Sequence, residues 1–297
     1  MEPFTSSIPV PKVLGLIAGR GDYPLQLARS ARAQGVEKVV AFAFRWETSR
    51  EIERAADETV WLSLGQLRAL LDAIAARSIT SVVMAGQIKP TRLFSLRLDS
   101  LALSLLKTLP LRNAHTIFGA IGDQLAGIGA TLLPAHCFME AAMPPPGPIA
   151  GREPTAREWS DIRFGAHVAK VTSSLEIGQT VVVKEGTVLA VEDFGGTDAT
   201  VKRARKLSGP SGGAVVVKVA KQGHDMRFDI PIVGPRTFKF LQYSRISCLA
   251  VEARRTILLE RDWICRRAER LGMAFVAFDM DALEPPAAPA APAKDTP

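Results

Sequence analysis

Short apolar runs alternate with segments of helical periodicity through the first 90 residues, and this alternation restricts the fold more than any other feature of the chain. The apolar runs cover residues 13–18, 39–44 and 79–85, and helical patterns cover 25–35 and 64–76 between them. Strands that alternate with helices in this way form parallel sheets covered on both faces. The N-terminal part is therefore predicted to be an α/β domain with a parallel sheet.

A proline-rich stretch at residues 143–148 marks the predicted domain boundary, because prolines lack an N–H donor and fix φ. The chain has 297 residues, which is enough for about two domains. We predict a Rossmann-like N-terminal α/β domain over 1–145 and a mixed C-terminal α/β domain over 146–284. The Pro- and Ala-rich residues 285–297 are predicted to be a disordered tail.

The second predicted domain has a less regular pattern than the first. Alternating segments around Glu185-Gly186 predict a hairpin, and a second hairpin is predicted around Arg254-Arg255. The further predicted strands are 214–220, 228–233 and 273–278, and the predicted helices are 199–206, 237–244 and 263–271. This order indicates a mixed sheet.

Composition narrows the function classes. The net charge of +7 favours an anionic ligand, but aromatic residues make up only 6% of the chain, so a nucleic-acid partner is not expected. Three scattered cysteines do not form a disulfide framework, and the longest run without a charged residue, 124–139, is too short to span a bilayer. The start of the chain lacks a signal-peptide pattern. We expect a cytoplasmic protein.

Glycine-containing turns follow the first and third predicted strands. Gly19 and Gly21 precede a helix, where backbone N–H groups and the helix N-terminus favour a phosphate, although a plain strand-to-helix turn explains them equally well. Leu25 stands where the third glycine of a dinucleotide fingerprint belongs. Gly86 and Lys89 follow the third strand, and Lys89 is either a phosphate ligand or a surface lysine. Because the carboxyl ends of parallel strands share one edge, the two turns are expected to meet there.

Acidic residues cluster after the predicted 187–191 strand. Glu192 and Asp193 precede a Gly-Gly pair, and Thr197 and Asp198 open a basic helix. Thr197 or Asp198 is expected to be the helix N-cap, since both side chains accept hydrogen bonds from the free N–H groups there. Capping does not account for Glu192. Carboxylates beside glycines are a suitable neighbourhood for Mg²⁺ and phosphates.

The densest polar cluster lies at residues 222–231, after a predicted buried strand. Asp225, Arg227 and Asp229 alternate, so an extended backbone would direct them to one side. One interpretation is a structural array of ion pairs. The other is a carboxylate that binds a metal or activates water, beside an arginine that binds phosphate. Lys218 adds positive charge nearby, and no motif for a covalent nucleophile is present in the sequence.

Five segments, taken together and in this order, resemble the LpxI-type UDP-2,3-diacylglucosamine pyrophosphatase (diphosphatase) family of lipid A biosynthesis. They are Gly-Arg-Gly-Asp-Tyr-Pro at 19–24, Gly-Gln-Ile-Lys at 86–89, Gly-Gln-Thr-Val-Val-Val-Lys-Glu-Gly at 178–186, Glu192 with Gly-Thr-Asp at 196–198, and His-Asp-Met-Arg-Phe-Asp-Ile-Pro at 224–231. The chain departs from the family pattern at His224, where many relatives have Gln, and at Gly195-Gly196, where they have Glu-Gly.

The resemblance implies a Mg²⁺-dependent hydrolase that converts UDP-2,3-diacylglucosamine into UMP and 2,3-diacylglucosamine 1-phosphate (lipid X). It also implies a homodimer and transient contact with the inner membrane. Asp225 is then the expected catalytic residue and Mg²⁺ ligand, with Arg227 as its catalytic partner and Asp229 as a second metal ligand. The expected substrate-binding residues are Gly19, Gly21, Asp22, Gly86, Lys89, Glu192, Thr197, Asp198 and Lys218.

Two other functions remain compatible with the sequence. One is a non-catalytic protein that binds a nucleotide sugar or an acidic lipid, and the other is a nucleotide-cofactor oxidoreductase, which the missing third glycine disfavours. A diacylated substrate requires an apolar groove. The Leu-rich basic segment 93–109 is either part of such a groove or a buried helix.

Overall fold

The structure, a computed structural model, describes residues 9–88, 97–111, 113–221, 225 and 227–285. The chain divides into two compact units. The first comprises Met1–Pro144, Ala220–Pro235 and Arg255–Arg261, and the second comprises Pro145–Val219, Arg236–Arg254 and Asp262–Pro297. Residues 286–297 of the predicted tail lie outside the described residues.

The elements of the first unit alternate as the sequence predicts. Its strands are β1 (Val13–Ala18), β2 (Lys38–Phe44), β3 (Glu58–Leu62), β4 (Ser81–Ala85), β5 (Thr131–Leu132), β10 (Ile232–Val233) and β12 (Ile257–Leu258). Its helices are α1 (Tyr23–Ala33), α2 (Ile52–Ala55), α3 (Leu67–Ala75), α4 (Ser100–Thr108) and α5 (Ala114–Gly127), with a 3₁₀ turn at Glu140–Ala142.

The second unit includes a 19-residue helix. Its strands are β6 (Gly147–Ala150), β7 (Thr180–Lys184), β8 (Thr187–Val191), β9 (Val215–Lys218), β11 (Cys248–Glu252) and β13 (Ala274–Phe278). Its helices are α6 (Ala156–Ser174), α7 (Gly196–Leu207), α8 (Pro235–Tyr243) and α9 (Arg261–Arg270).

A five-stranded parallel sheet in the order β3-β2-β1-β4-β5 forms the centre of the first unit. Alternate residues of β1 point to opposite faces, so Leu14 and Leu16 share a core cluster with α1 and α2, while Ile17 shares one with α3 and α5. Burial on both faces explains why these strands are almost uninterrupted apolar runs. The predicted Rossmann-like sheet with helices on both faces is confirmed.

Two later segments return to the first unit. Ile257 and Leu259 are buried in its core, and Ile230 and Ile232 pack against the same cluster. β10 and β12 pair in parallel beside them. The predicted boundary near residue 145 would place these segments in the C-terminal domain. In the structure their apolar side chains are buried in the first unit. The region that contains Asp225 therefore belongs to the same unit as the glycine turns.

The second unit contains a mixed sheet in the order β6-β13-β11-β9-β7-β8. β9, β11 and β13 are parallel, while β6 and β7 run antiparallel to their neighbours. α6 packs on one face through Ile162 and Ala166. Ala274 and Val276 of β13 face α6. Phe275 lies between them and therefore points to the opposite face, where it contacts Phe238 of α8. Helix α8 thus covers that opposite face. The predicted two-domain α/β fold is confirmed.

Several local predictions were wrong or incomplete. Residues around Arg254-Arg255 form a turn between β11 and β12, which belong to different sheets, so no hairpin forms there. α6 was not predicted, although its capping box, in which Thr155 and Glu158 exchange hydrogen bonds, has a recognisable sequence spacing. β3 was also not predicted.

The Leu-rich basic segment, described from residue 97 onward, forms a helix over Ser100–Thr108. Leu101 and Leu105 of α4 pack against the core of the first unit, as does Leu98 before the helix, and this supports the buried-helix interpretation for residues 100–108. Leu103 of the same helix is exposed. Among the residues that the structure describes, no helix combines the length and the apolar character needed to cross a bilayer.

Candidate active site

The two glycine turns meet at the carboxyl ends of β1 and β4, as expected. The Gly19 N–H donates to the Ala85 carbonyl at 2.7 Å, and the Arg20 N–H donates to the Gln87 carbonyl at 2.7 Å. The Gln87 N–H donates back to the Arg20 carbonyl at 3.2 Å. These reciprocal bonds hold the two turns against each other at one edge of the sheet.

Close backbone approach explains two of the predicted glycines. A Cβ atom on Gly19 would lie 2.7 Å from the Gln87 carbonyl oxygen, and one on Gly86 would lie 2.7 Å from the Arg20 carbonyl oxygen. Gly21 differs, because its φ is +90° and the space around it is open. Gly21 is therefore the glycine of this turn that keeps its backbone accessible. Asp22 is exposed at the N-cap of α1, and Lys89 lies outside the described residues.

Asp225 and Arg227 form an ion pair within a turn. The Arg227 Nε atom donates to Asp225 Oδ1 at 2.9 Å, and Nη2 donates to Oδ2 at 2.6 Å. The Phe228 and Asp229 N–H groups donate to the Asp225 carbonyl, so the backbone is turned and the expected extended alternation is wrong. The bond from Arg227 to Asp225 raises the pKa of the guanidinium, which therefore stays charged.

Helix α5 supports this ion pair. The Arg227 Nη1 atom lies 3.2 Å from the position that a Cβ atom on Gly122 would occupy. The Phe228 ring packs against Phe118 with 5.6 Å between ring centroids. Asp123 further raises the pKa of Arg227. The absence of a side chain at Gly122 thus leaves room for the guanidinium, a contact that the sequence analysis missed because it joins residues 105 positions apart.

A second polar cluster lies in the second unit. The Thr197 hydroxyl donates to Glu192 Oε1 at 2.8 Å and accepts from Lys218 Nζ at 2.9 Å. The Gln179 N–H donates to Glu192 Oε2 at 3.3 Å. Three predicted binding residues, Glu192, Thr197 and Lys218, are therefore joined by hydrogen bonds where β8 and β9 end and α7 begins.

Lys218 is buried among hydroxyl groups. Its residue exposure is 5%, and Nζ has the Thr197 and Thr180 hydroxyls as acceptors. No carboxylate within the described ranges lies within 4.0 Å of this ammonium group. The buried Gln179 Oε1 atom also accepts no hydrogen bond from the described residues. Lys218 therefore reaches the Glu192 carboxylate only through the Thr197 hydroxyl. The Gln179 oxygen keeps acceptor capacity that the described residues do not use, and Gln179 is a site candidate that the sequence did not indicate.

Asp198, the other predicted binding residue of this segment with a carboxylate, lies in a different hydrogen-bond network. Gly195 is the N-cap of α7 without a side-chain bond, so the expectation that Thr197 or Asp198 caps the helix was wrong. The helix begins at Gly196, three residues earlier than predicted. Asp198 Oδ2 accepts a 2.7 Å bond from Arg236 Nε. Asp198 is therefore neutralised by α8.

The described residues contain no group of three or more His, Cys, Asp or Glu side chains arranged to hold a metal ion. Mg²⁺ commonly binds through one or two carboxylates together with substrate phosphates, and that mode needs no such group. Asp225 is the candidate carboxylate for this mode, and the backbone N–H and guanidinium of Arg227 hold it by donating to both of its oxygens. Asp229 is half-buried and four residues away.

Comparisons with known proteins match the chain along its length. The LpxI N-terminal domain family matches residues 13–142, and the LpxI C-terminal domain family matches residues 145–276. A curated relative, UDP-2,3-diacylglucosamine pyrophosphatase LpxI of Caulobacter vibrioides, is 28% identical over 279 residues, which cover 90% of this chain and 97% of the relative.

Solved structures give only a weak likeness. The biotin carboxylase domain of the Hydrogenobacter thermophilus 2-oxoglutarate carboxylase has a TM-score of 0.26 and 10% identity, covering 66% of this chain. The biotin carboxylase subunit of pyruvate carboxylase has a TM-score of 0.26 and 11% identity, covering 67% of this chain. The chain spans about two fifths of the length of those chains, 41% and 40% respectively. Scores at this level carry no argument about function.

Proposed function

This chain belongs to the LpxI family, and on that basis we propose that it hydrolyses the pyrophosphate bond of UDP-2,3-diacylglucosamine in lipid A biosynthesis. The products are UMP and 2,3-diacylglucosamine 1-phosphate, lipid X. The observation that carries the proposal is the ordered match of both domain families across residues 13–276, together with the relative's pyrophosphatase activity given by its name.

The Asp225–Arg227 pair supports this chemistry. Diphosphate hydrolysis requires positive charge near the non-bridging oxygens and an oriented water molecule. Asp225 fixes the guanidinium through Nε and Nη2, while Nη1 has no acceptor among the described residues. Arg227 is therefore arranged to donate to a phosphate oxygen, and the Asp225 carboxylate, which Arg227 orients, is proposed to accept a hydrogen bond from the attacking water.

A magnesium ion is the cofactor of the proposed reaction. Asp225 would hold it together with substrate phosphates, and Asp229 is the second predicted ligand. Bound Mg²⁺ would offset negative charge on the diphosphate oxygens. The protein's own contribution is to keep the Asp225 carboxylate in a fixed orientation through its bonds to Arg227.

The Glu192–Thr197–Lys218 cluster is proposed to bind substrate. A buried ammonium group with no carboxylate of the described residues in direct contact is suited to a phosphate or sugar oxygen. Gln179 Oε1 would accept a hydrogen bond from a hydroxyl or an amide of the ligand. Gly19, Gly21, Asp22, Gly86, Lys89 and Asp198 remain predicted binding residues, and of the glycines only Gly21 has an open environment in addition to a positive φ.

Purified protein incubated with UDP-2,3-diacylglucosamine tests the proposal directly. We expect UMP and lipid X in equal amounts with Mg²⁺, and neither with excess chelator. Reaction in ¹⁸O-labelled water would show which phosphorus is attacked, because the label enters only one product. Tight binding without UMP release would instead support the second candidate, a non-catalytic nucleotide-sugar or acidic-lipid binding protein.

The proposal includes a homodimer on the cytoplasmic side of the membrane. Light scattering after size exclusion tests the dimer. Membrane contact is proposed because the substrate carries two acyl chains, whose transfer from water is favourable by about 0.8 kcal/mol per methylene group.

A further inference from the structure

Three helices of the second unit lie side by side on one face of its sheet. Arg236 of α8 forms a 2.7 Å ion pair with Asp198 of α7, and the Lys202 ammonium group of α7 lies 4.5 Å from the Phe240 ring centroid. Arg267 of α9 donates to Gln242 of α8. α8 is therefore the central helix of a layer formed by α7, α8 and α9.

This layer carries most of the net positive charge of the protein. Within the second unit, which includes α9 from Asp262 onward, the three helices contain nine Lys or Arg residues and three Asp or Glu residues. Their excess of six compares with +7 for the whole chain. The outward positions follow helical periodicity, since Phe238, Leu241, Ile264 and Ala268 are buried and the basic residues lie between them.

We define the basic face as five exposed residues of this layer: Lys202, Lys206, Lys239, Arg266 and Arg270. None of them has a carboxylate within 4.0 Å in the part of the chain that the structure describes. Basic residues in a last helical turn complement the helix dipole, which accounts for Lys206 and Arg270. Lys202, Lys239 and Arg266 lie earlier in their helices, so the dipole does not account for them.

Exposed apolar side chains accompany the basic face. Leu207 and Tyr243 are 60% and 66% exposed and are the last residues of α7 and α8. β8 and β11 are both parallel to β9. Helix α7 follows β8 and α8 precedes β11, so both helices end at the edge of the sheet where these strands begin. Arg245 donates to the Pro210 carbonyl and joins the loops that follow the two helices.

We propose that the basic face, with Leu207 and Tyr243 at its edge, binds the surface of a bilayer that contains anionic phospholipids. Clustered Lys and Arg are attracted to anionic lipid headgroups, and tyrosine and leucine side chains partition into the boundary between headgroups and acyl chains. A second copy of the chain is a poor occupant, because the same face would bring like charges together. Nucleic acid is disfavoured because its bases stack on several aromatic side chains, and this surface offers Tyr243 alone beside the apolar Leu207.

This inference rests on the proposed function, whose substrate is a membrane lipid, and it extends that function to the surface that reaches the membrane. The face is distinct from the residues proposed to bind substrate. The two proposals therefore separate experimentally, since binding to vesicles needs no turnover and turnover of detergent-dispersed substrate needs no vesicles.

Sedimentation with phosphatidylglycerol–phosphatidylethanolamine vesicles tests the surface. The quadruple variant K206Q/K239Q/R266Q/R270Q is compared with K12Q/R29Q/R50Q/R68Q, which removes the same charge from exposed positions of the first unit. At about 5-fold per neutralised charge, we expect the first variant to lose at least 100-fold in partitioning and the second to lose much less. Wild-type binding should also fall steeply as salt is raised.

These vesicle assays decide whether the basic face binds an anionic bilayer. Equal losses in both variants, or equal binding of the wild type to neutral phosphatidylcholine vesicles, would overturn the proposal. The proposal would also be overturned if the quadruple variant of the basic face bound vesicles normally but no longer bound an oligoribonucleotide. Normal vesicle binding together with a changed oligomeric state would overturn it as well. Circular dichroism checks folding, and UMP release from detergent-dispersed substrate should be at the wild-type rate in the face variant. Absence of UMP from the wild type would refute the proposed function while leaving the vesicle result valid.

Discussion

Arg227 and Asp225 are two residues apart in the chain and joined by a forked ion pair, with Nη2 2.6 Å from Oδ2 and Nε 2.9 Å from Oδ1. The pair is partly accessible, because the side chains are 37% and 22% exposed. Exposed pairs contribute less than about 1 kcal/mol to folding. The geometry therefore matters for the orientation of the two groups more than for stability.

Replacing Asp225 with Asn should reduce kcat for UMP release about 100-fold or more, because the carboxylate that orients Arg227 and is proposed to bind the metal loses its charge. The melting temperature should change little. Glu58→Gln is the matched control, since Glu58 pairs with Lys38 and Arg77 on the surface of the same unit. Near-wild-type turnover by the Asn variant would remove Asp225 from the mechanism.

Gly122→Ala should lower activity about tenfold with little change in stability. The new Cβ would lie 3.2 Å from Arg227 Nη1 and 3.3 Å from Leu132 Cδ2, so both groups must shift, while alanine improves helix propensity by up to about 1 kcal/mol. Gly119→Ala, three residues earlier in α5, meets nothing within 4 Å and should gain stability with normal kinetics. Steady-state kinetics measure the activity of both variants, and thermal melts measure their stability. Equal activity in the two variants would show that the position of Arg227 is unimportant for turnover.

Lys218→Met should raise KM severalfold while the melting temperature changes little. The buried ammonium group reaches the Glu192 carboxylate only through the Thr197 hydroxyl, so its desolvation cost offsets much of that attraction, and methionine fills a similar volume. Lys184→Met is the control in the same sheet, because the Lys184 ammonium group donates to the Ser208 carbonyl. If both variants lose stability and neither changes KM, Lys218 has only a structural role.

Gly86→Ala should destabilise the first unit more than Gly21→Ala. Both residues have positive φ, +93° and +90°, which costs an alanine about 1–2 kcal/mol. At Gly86 the new Cβ would also lie 2.7 Å from the Arg20 carbonyl oxygen, whereas at Gly21 it meets open space. Differential scanning calorimetry compares the two. An effect of Gly21→Ala on KM larger than its effect on stability would support a ligand at that turn.

Glu158 should make stability depend on pH below about 5. Burial raises the pKa of this carboxyl, but bonds from Arg152, the Thr155 N–H and the Ser247 hydroxyl outweigh burial and lower the pKa from 4.5 to about 2. A lowered pKa contributes stability that is present above pH 4.5 and lost as the pH falls towards 2, on the order of 2–3 kcal/mol.

Urea titrations of the wild type and Glu158→Gln from pH 7 to pH 2.5 measure this dependence. The difference in unfolding midpoint between them should shrink as the pH falls. Glu153→Gln, five residues earlier and exposed, should follow the wild type throughout. A constant difference across the range would mean that the carboxylate does not titrate between the folded and unfolded states as described.

The sequence best predicted those residues of the candidate site that lie at the carboxyl ends of strands. Gly19 and Gly86 were expected to meet because they end two strands of one parallel sheet, and their turns exchange hydrogen bonds. Glu192 and Lys218 follow or end strands in the same way. By contrast, the alternation of Asp225, Arg227 and Asp229 assumed an extended backbone, and a local turn held by the Asp225 carbonyl replaced it. Residue spacing alone does not distinguish these two conformations.

The sequence by itself determined the α/β class and the order of most strands and helices, because apolar periodicity is a local property that reflects which faces each element buries. Only the tertiary structure decided that Ile230 and Ile232 return to the first unit, and that Arg227 lies against Gly122. Both depend on contacts between residues about 100 or more positions apart. Such contacts form where side-chain volume and free space match, and neither quantity is encoded in any short stretch of sequence.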